Sequence, residues 1–227
     1  MAGRRIVFAV TVGQSLDLLG EIPRMLAARG WDVHVVSAPG GCLRVGSDIG
    51  ELTYHEVAMS RDPSWKDLLS LLRWLVLLAR LRPDIISVGT PKASFLALVA
   101  ARVVGVRHRV YVLRGLRLET EAGLMLKVLH AAEKITAACA TKIIAVSESL
   151  MKEYLTRELT LASKIVVLGY GSSKGVDLDR FRPAREDEET SLAALSAKIG
   201  LMPGVPVVGL IGRRARDKGI NVFFSAL

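Results

Sequence analysis

Cysteine is scarce in this chain. Cys42 and Cys139 lie far apart and belong to no paired motif. That excludes a disulfide framework and a Cys-x-x-Cys redox or zinc motif, and both residues read as reduced thiols in a cytoplasmic protein. Histidine is almost as rare: His34, His55, His108 and His130 show no metal-ligand spacing, so no metal site is expected. Aromatic residues make up 5% of the chain and do not interleave with the basic ones. No finger, helix-turn-helix or ribonucleoprotein pattern accompanies them, which argues against a nucleic-acid partner. No Gly-x-Gly-x-x-Gly follows the first apolar run, and the glycines near Gly169 do not have the spacing of a nucleoside-triphosphatase loop. A nicotinamide or ATP fingerprint is therefore missing, and no cofactor is expected. Long apolar runs are absent too, since Arg73 and Arg80 interrupt the greasiest stretch, Leu68 to Leu78 and beyond. The start, Arg4-Arg5 followed by Ile6 to Val10, is too short for a signal peptide, lacks a small-residue cleavage site and reads as a first strand.

Positive charge is plentiful. The 31 Lys and Arg against 22 Asp and Glu give a formal charge of +9 and a pI near 9.9. With nucleic acid disfavoured, this calls for an anionic membrane face or phosphorylated substrates. Half of the residues (51%) are hydrophobic, mostly Leu, Val, Ala and Ile, which suits an α/β core.

Along the chain, apolar runs alternate with helical patterns. Strands are expected at Arg4 to Val12, Trp31 to Ser37, Leu52 to Met59 (an edge), Ile85 to Val88, Arg109 to Leu113, Lys142 to Val146 and Lys164 to Leu168. The first is followed by Gly13-Gln14-Ser15 and a helical stretch to Arg29-Gly30, where Pro23 demands a kink or a late start. Ser64 with Asp67 reads as a capping-box variant opening a helix that Pro83 ends. Thr90-Pro91 opens Lys92 to Val104, a helix from Glu121 to about Ala138 follows, and Ser147 caps Glu148 to Leu159. Nearly all-apolar strands separated by helices mean a parallel, doubly wound Rossmann-like sheet. From Gly169 to Pro206 the composition turns polar, with an acidic run and a short helix at Leu192 to Ile199. Val205 to Ile211 then reads as a buried strand, Gly212-Arg213 and Asp217-Lys218-Gly219 as a basic turn, and Ile220 onward as the opening of a helix. Backbone amides at such a turn favour an anion, and Arg213 and Lys218 add two charges beside it.

Ligands in open α/β sheets bind at the carboxyl ends of the strands, here Gly13, Gln14, Thr90, Lys92, Arg114, Glu119, Ser147 and Gly169. Capping accounts for Thr90 and Ser147. Lys92, Arg114 and Glu119 have no packing reason to be charged at those positions, although Arg114, Arg117 and Glu119 also fit a solvated ion-pair network. For the helix between Ser64 and Arg82, packing on the sheet accounts for most of the surface. Trp65, Trp74, Lys66, Arg73, Arg80 and Arg82 also fit a helix resting on an anionic bilayer.

These pieces resemble the family 4 retaining glycosyltransferases, which pair two Rossmann-like halves in the GT-B fold. The resemblance rests on Arg82-Pro83-Asp84-Ile85-Ile86, Gly89-Thr90-Pro91-Lys92-Ala93, Leu113-Arg114-Gly115, Ala145-Val146-Ser147, the Gly171 to Phe181 segment, and Gly212-Arg213 with Asp217-Lys218-Gly219. It implies transfer from a UDP- or GDP-sugar, with retention, to a lipid-linked or saccharide acceptor in cell-surface polysaccharide synthesis. By that resemblance Arg213 and Lys218 grip the donor diphosphate and stabilise its departure without a metal ion. Gly13, Lys92, Arg114 and Glu119 surround the acceptor, and Arg114 and Glu119 are the candidates for a catalytic role. Many relatives carry histidine where Arg114 stands. The family's second acidic pair for the donor falls beyond Leu227.

The expected organisation is an acceptor-side Rossmann-like domain over residues 1–170, a linker over 171–204, and the first strand and helix start of a donor-binding domain over 205–227. A further ~130 to 170 residues would complete that second domain to ordinary size. The 227-residue chain by itself is expected to be inactive. A cytoplasmic enzyme, peripheral on the inner membrane face, fits this reading. The rivals are a UDP-sugar 2-epimerase of the same architecture and a non-catalytic acceptor- or membrane-binding module.

Overall fold

The computed structural model describes residues 4–40, 52–59, 64–116, 118, 123–179, 181–183, 185, 188–202, 205–212 and 219–226. Chain contacts divide it into two units, residues 1–175 and 176–227.

The first unit is a seven-stranded parallel sheet. Its strands are β1 (Arg5–Ala9), β2 (Asp32–Ser37), β3 (Leu52–Glu56), β4 (Ile85–Val88), β5 (His108–Leu113), β6 (Lys142–Ala145) and β7 (Ile165–Val167), in the order β3-β2-β1-β4-β5-β6-β7. Every neighbouring pair is parallel. Alternation along β1 sends Val7 and Ala9 to one face, and Ile6, Phe8 and Val10 to the other. The first face packs on helices α2 (Asp67–Leu81), α3 (Pro91–Val103), α4 (Gly123–Cys139) and α5 (Glu148–Thr156), through Trp74, Leu96, Ala137 and Tyr154 among others. The second meets Leu16 and Leu19 of a 3-10 helix, Gly13–Leu19, and the short α1 (Ile22–Ala27) stands beside it. Both faces are covered where the strands are most apolar, as a parallel sheet requires.

Several local starts differ from expectation for definable reasons. The stretch after Gly13 divides into the 3-10 helix and α1, because Pro23 fits only in a first helical turn, and it occupies that place in α1. The helix expected from Ser64 begins at Asp67. The reciprocal bonds are present even so, from the Ser64 N–H to the Asp67 carboxylate (3.0 Å) and from the Lys66 N–H to Ser64 Oγ (3.3 Å). Trp74 does not face outward: it is fully buried and donates its indole N–H to Met59 Sδ at 3.5 Å. Trp65, just ahead of the helix, is 79% exposed.

The second unit contains helices α6 (Glu189–Lys198) and α7 (Ile220–Ala226). The strand expected at 205–211 is not formed. Those residues have no regular secondary structure, and Ile211 is 99% exposed. A parallel strand is held by its neighbours' N–H and C=O groups, and no other strand occurs among the described residues of this unit.

Candidate functional site

The strand order reverses between β1 and β4, so the loops after these two strands diverge and leave a crevice above the carboxyl edge of the sheet. Two threonines tie the loops together. The Thr11 N–H donates to Thr90 Oγ1 (2.8 Å), the two hydroxyls share a bond of 2.9 Å, and Thr11 Oγ1 accepts the Ala93 N–H (3.2 Å). The amide of the third residue of α3 is thus capped from β1. Thr90 occupies the N-cap position but makes no side-chain cap, because its hydroxyl is already engaged with Thr11. Ser147 does cap α5, accepting the Leu150 N–H at 3.2 Å.

Next to this crossing, Arg114 leaves the end of β5 and lies over Gly89 at the tip of β4. A Cβ at position 89 would stand 1.5 Å from Arg114 Nη1, so only glycine lets the guanidinium through. Arg114 Nη2 donates to the Leu18 carbonyl of the 3-10 helix (3.0 Å), and Nε donates to Ser173 Oγ (2.9 Å). Its Nη1 is buried and has no hydrogen-bond partner. Burial lowers the Arg114 pKa, with Tyr111 acting in the opposite sense.

Ser173 belongs to the polar loop after β7, and this loop is more than a connector. Gly171, at φ +82°, packs so tightly on the end of β6 that a Cβ would stand 2.4 Å from the Val146 carbonyl oxygen. Lys174 passes Gly20, where a Cβ would lie 3.2 Å from the lysine Cβ. The loop meets the strand tips at Val146 and Arg114 and the end of the 3-10 helix at Gly20.

Gly13 opens the 3-10 helix after β1. Lys92 is held in an ion pair with Asp67 at the start of α2, its side chain only 9% exposed. It lines a cavity between α3 and α4. Glu119, Arg117, Arg213, Asp217 and Lys218 lie outside the described residues, as does Cys42. The cavity beside Lys92 has a volume of about 190 Å³ and mostly apolar walls, with the Glu133 carboxyl at its side. Glu133 Oε1 accepts from both Tyr111 Oη (2.7 Å) and Tyr154 Oη (3.0 Å). Burial raises the Glu133 carboxyl, while the two phenol hydrogen bonds act to lower it. A second cavity of about 190 Å³ lies on the other sheet face, with Asp17, Glu21, Arg24 and Lys174 in its wall.

Reasoning from sequence missed Thr11, Gly89, Ser173 and the Glu133 cluster. Gly89 and Ser173 left a signal, since both lie in segments that carry the family resemblance. Among the described residues no cluster of three metal-ligating side chains occurs, and no helix is long and apolar enough to cross a membrane.

A glycosyl transferase 4-like domain model matches residues 19–171, which carry β2 to β7 and Arg114. The chain belongs to the glycosyl transferase 4-like family. It is 37% identical over 222 residues, 97% of its length, to the capsular polysaccharide biosynthesis glycosyltransferase CapM of Staphylococcus aureus. It is 28% identical over 181 residues, 75% of its length, to an Escherichia coli UDP-Gal:alpha-D-GlcNAc-diphosphoundecaprenol alpha-1,3-galactosyltransferase. It spans about half of those relatives, 56% and 46% of their lengths. Among solved structures, Anabaena HepE in complex with UDP-glucose superposes with a TM-score of 0.70 at 17% identity, over 98% of this chain and 56% of that one. At that identity the likeness speaks for the fold, which is the parallel α/β half of a GT-B glycosyltransferase. In this fold Arg114 is a cation delivered to the strand tips.

Proposed function

We propose that this chain is the acceptor-side half, with the beginning of the donor-side half, of a glycosyltransferase of cell-surface polysaccharide synthesis. The enzyme moves a sugar from a UDP- or GDP-sugar, with retention, onto a lipid-linked or saccharide acceptor. The observation that carries this reading is the Arg114 guanidinium, laid over Gly89 at the switch point with Nη1 unbonded. It is a fixed cation at the place where doubly wound sheets take their ligands, with a donor left for an anionic oxygen. The CapM relative supports the polysaccharide context, and the E. coli relative, named for a diphosphoundecaprenol substrate, supports a lipid-linked acceptor. Structures of HepE with UDP-glucose support a nucleotide-sugar donor.

In this reading Arg213, Lys218 and the start of α7 receive the donor diphosphate and stabilise the charge that develops as it leaves. Gly13, Lys92, Arg114 and Glu119 stand on the acceptor side. Residues 1–170 form the acceptor domain, 171–204 the connection and 205–227 the opening of the donor domain. Contact with an anionic inner membrane face runs through the start of α2, where Trp65, Leu68, Leu69 and Leu72 are exposed beside Lys66 and Arg73. Co-sedimentation with anionic liposomes that salt abolishes supports that contact, and no binding at low salt removes it.

The test of function is a chimera of residues 1–204 with the second half of CapM, supplied with UDP- or GDP-sugars and lipid-linked or saccharide acceptors. Transfer of labelled sugar with retained anomeric configuration is expected, and none from the 227-residue chain alone. If the chimera transfers to neither acceptor class while CapM itself does, the reading fails. Epimerisation of the nucleotide sugar in place of transfer would assign the chain to the rival class.

A further inference from the structure

The cavity between α3 and α4 is larger than a packing defect and has a consistent chemistry. Phe95, Leu118, Val128, Leu129 and Ala132 form its apolar walls, and its volume is about 190 Å³. Engineered apolar cavities of about 150 Å³ already take up benzene. Its lining includes Pro91, the first residue of α3, two positions after Gly89, and Leu118, between β5 and α4, four positions after Arg114. The cavity thus begins within a few chain positions of the strand-tip residues and runs between the two helices.

The surroundings specify the ligand further. Every charged side chain that α2, α3 and α4 expose is basic: Arg73, Arg80, Arg102, Lys127 and Lys134. The two acids on these helices line the cavity and are both engaged, Asp67 with Lys92, which also lines it, and Glu133 with two phenols. Beside the cavity, α4 presents Leu124, 78% exposed, along with Met125 and Val128. Mostly apolar walls beneath helices whose exposed charges are basic are complementary to an anionic amphiphile, phosphate outside and hydrocarbon within. Glu133, whose carboxyl burial pushes up, is the wall group most easily kept neutral beside such a tail.

We propose that the α3–α4 cavity binds the first hydrocarbon segment of the lipid carrier on the acceptor, the part next to its phosphate. The inference rests on the lipid-linked acceptor proposed above and assigns it a place. The cavity grips the tail while the phosphate remains at the basic strand-tip edge. A carrier held in this way is positioned by its lipid as well as by its sugar.

The experiment uses the 227-residue chain and farnesyl phosphate below its micellar concentration, with inorganic phosphate and farnesol as comparison probes. Saturable binding of farnesyl phosphate by calorimetry is expected, with binding by inorganic phosphate much weaker. Ala132→Trp fills the cavity and should weaken farnesyl phosphate binding at least about tenfold, the factor for excluding two buried methylene groups. In the wild-type chain, methyl NMR signals of Leu118, Val128 and Leu129 should shift while those of Leu72 and Val76 on α2 stay in place. This second measurement stands if Ala132→Trp fails to fold. Absence of saturable binding overturns the proposal, as does equal binding by a folded Ala132→Trp variant or shifts confined to α2. Binding only to vesicles of anionic phospholipid also overturns it and assigns the surface to the bilayer. Sugar transfer by the chimera is read separately, so either proposal can fail without the other.

Discussion

Gly89 and Arg114 offer the sharpest test of how the strand-tip site is built. In Gly89→Ala the new methyl carbon falls 1.5 Å from Arg114 Nη1 and 2.8 Å from Cζ. The clash by itself is cheap, because the guanidinium is the far end of a flexible side chain and can swing away. The cost lies in what it must leave, the bonds to the Leu18 carbonyl and to Ser173 Oγ. Hydrogen bonds to charged groups contribute about 1.5–3 kcal/mol each. Arg114 is only half-buried, so the low end applies, and the pair amounts to about 2–3 kcal/mol. Arg114→Ala removes the same two bonds and should cost a similar amount. Once the arginine is gone, Gly89→Ala meets only the Val112 carbonyl oxygen at 3.1 Å, which must yield by a few tenths of an ångström. The double variant should then be scarcely less stable than either single one, a coupling of about 1.5–3 kcal/mol between neighbouring sites. Urea unfolding of the four chains, followed by far-UV circular dichroism, reads this directly. Costs that simply add, or a Gly89→Ala chain within about 0.5 kcal/mol of wild type, would refute the crossing of Arg114 over Gly89.

Other parts of the site give independent expectations. Thr11→Val deletes the acceptor for the Ala93 N–H and the bond to Thr90, and should cost about 1–2 kcal/mol, with Thr11→Ser largely retaining it. Equal unfolding midpoints for the two variants would contradict the cap. Gly171→Ala combines a left-handed φ of +82° with a backbone oxygen 2.4 Å from the new Cβ, and neither can relax cheaply. It should destabilise the first unit by at least about 2 kcal/mol, and an unchanged melting curve would show that the loop is not seated on β6. For Glu133, burial raises the carboxyl above its usual 4.5, so the folded state holds that proton more tightly than the unfolded chain. Its contribution is fully present below the unfolded value and is lost as pH climbs through the raised folded one. Glu133→Gln keeps an acceptor for Tyr111 and Tyr154 but does not titrate. Wild type should therefore lose stability relative to the variant as pH rises from about 4 toward neutrality, and parallel pH profiles would exclude the buried carboxyl.

Much of the fold was legible in the residues. Ile6 to Val10 are apolar at five consecutive positions, and Val33 to Val36 and Ile85 to Val88 are each interrupted once, by His34 and Ser87, a pattern that suits strands covered on both faces, and the helical stretches between them require crossovers. Parallel order, edge strand β3 and family membership follow from such local patterns, because each is written in consecutive residues. Ser147 and Pro91 were legible for the same reason: a cap and a first-turn proline act within a few positions of themselves.

The site was legible only as charge at strand ends. That Arg114 bonds to Leu18 and Ser173, 96 and 59 positions away, and that Thr11 meets Thr90, 79 away, is invisible in any local window. Trp65 and Trp74 look alike in the sequence, yet helix phase and the position of Met59 bury one and leave the other out. Val205 to Ile211 has the composition of a buried strand and lies exposed, because a strand is completed by hydrogen bonds from a neighbour. Propensity and periodicity are properties of segments, which sequence states by itself. Partnership between distant segments, and the orphaned Arg114 Nη1 it creates, exists only once the sheet has brought their ends together.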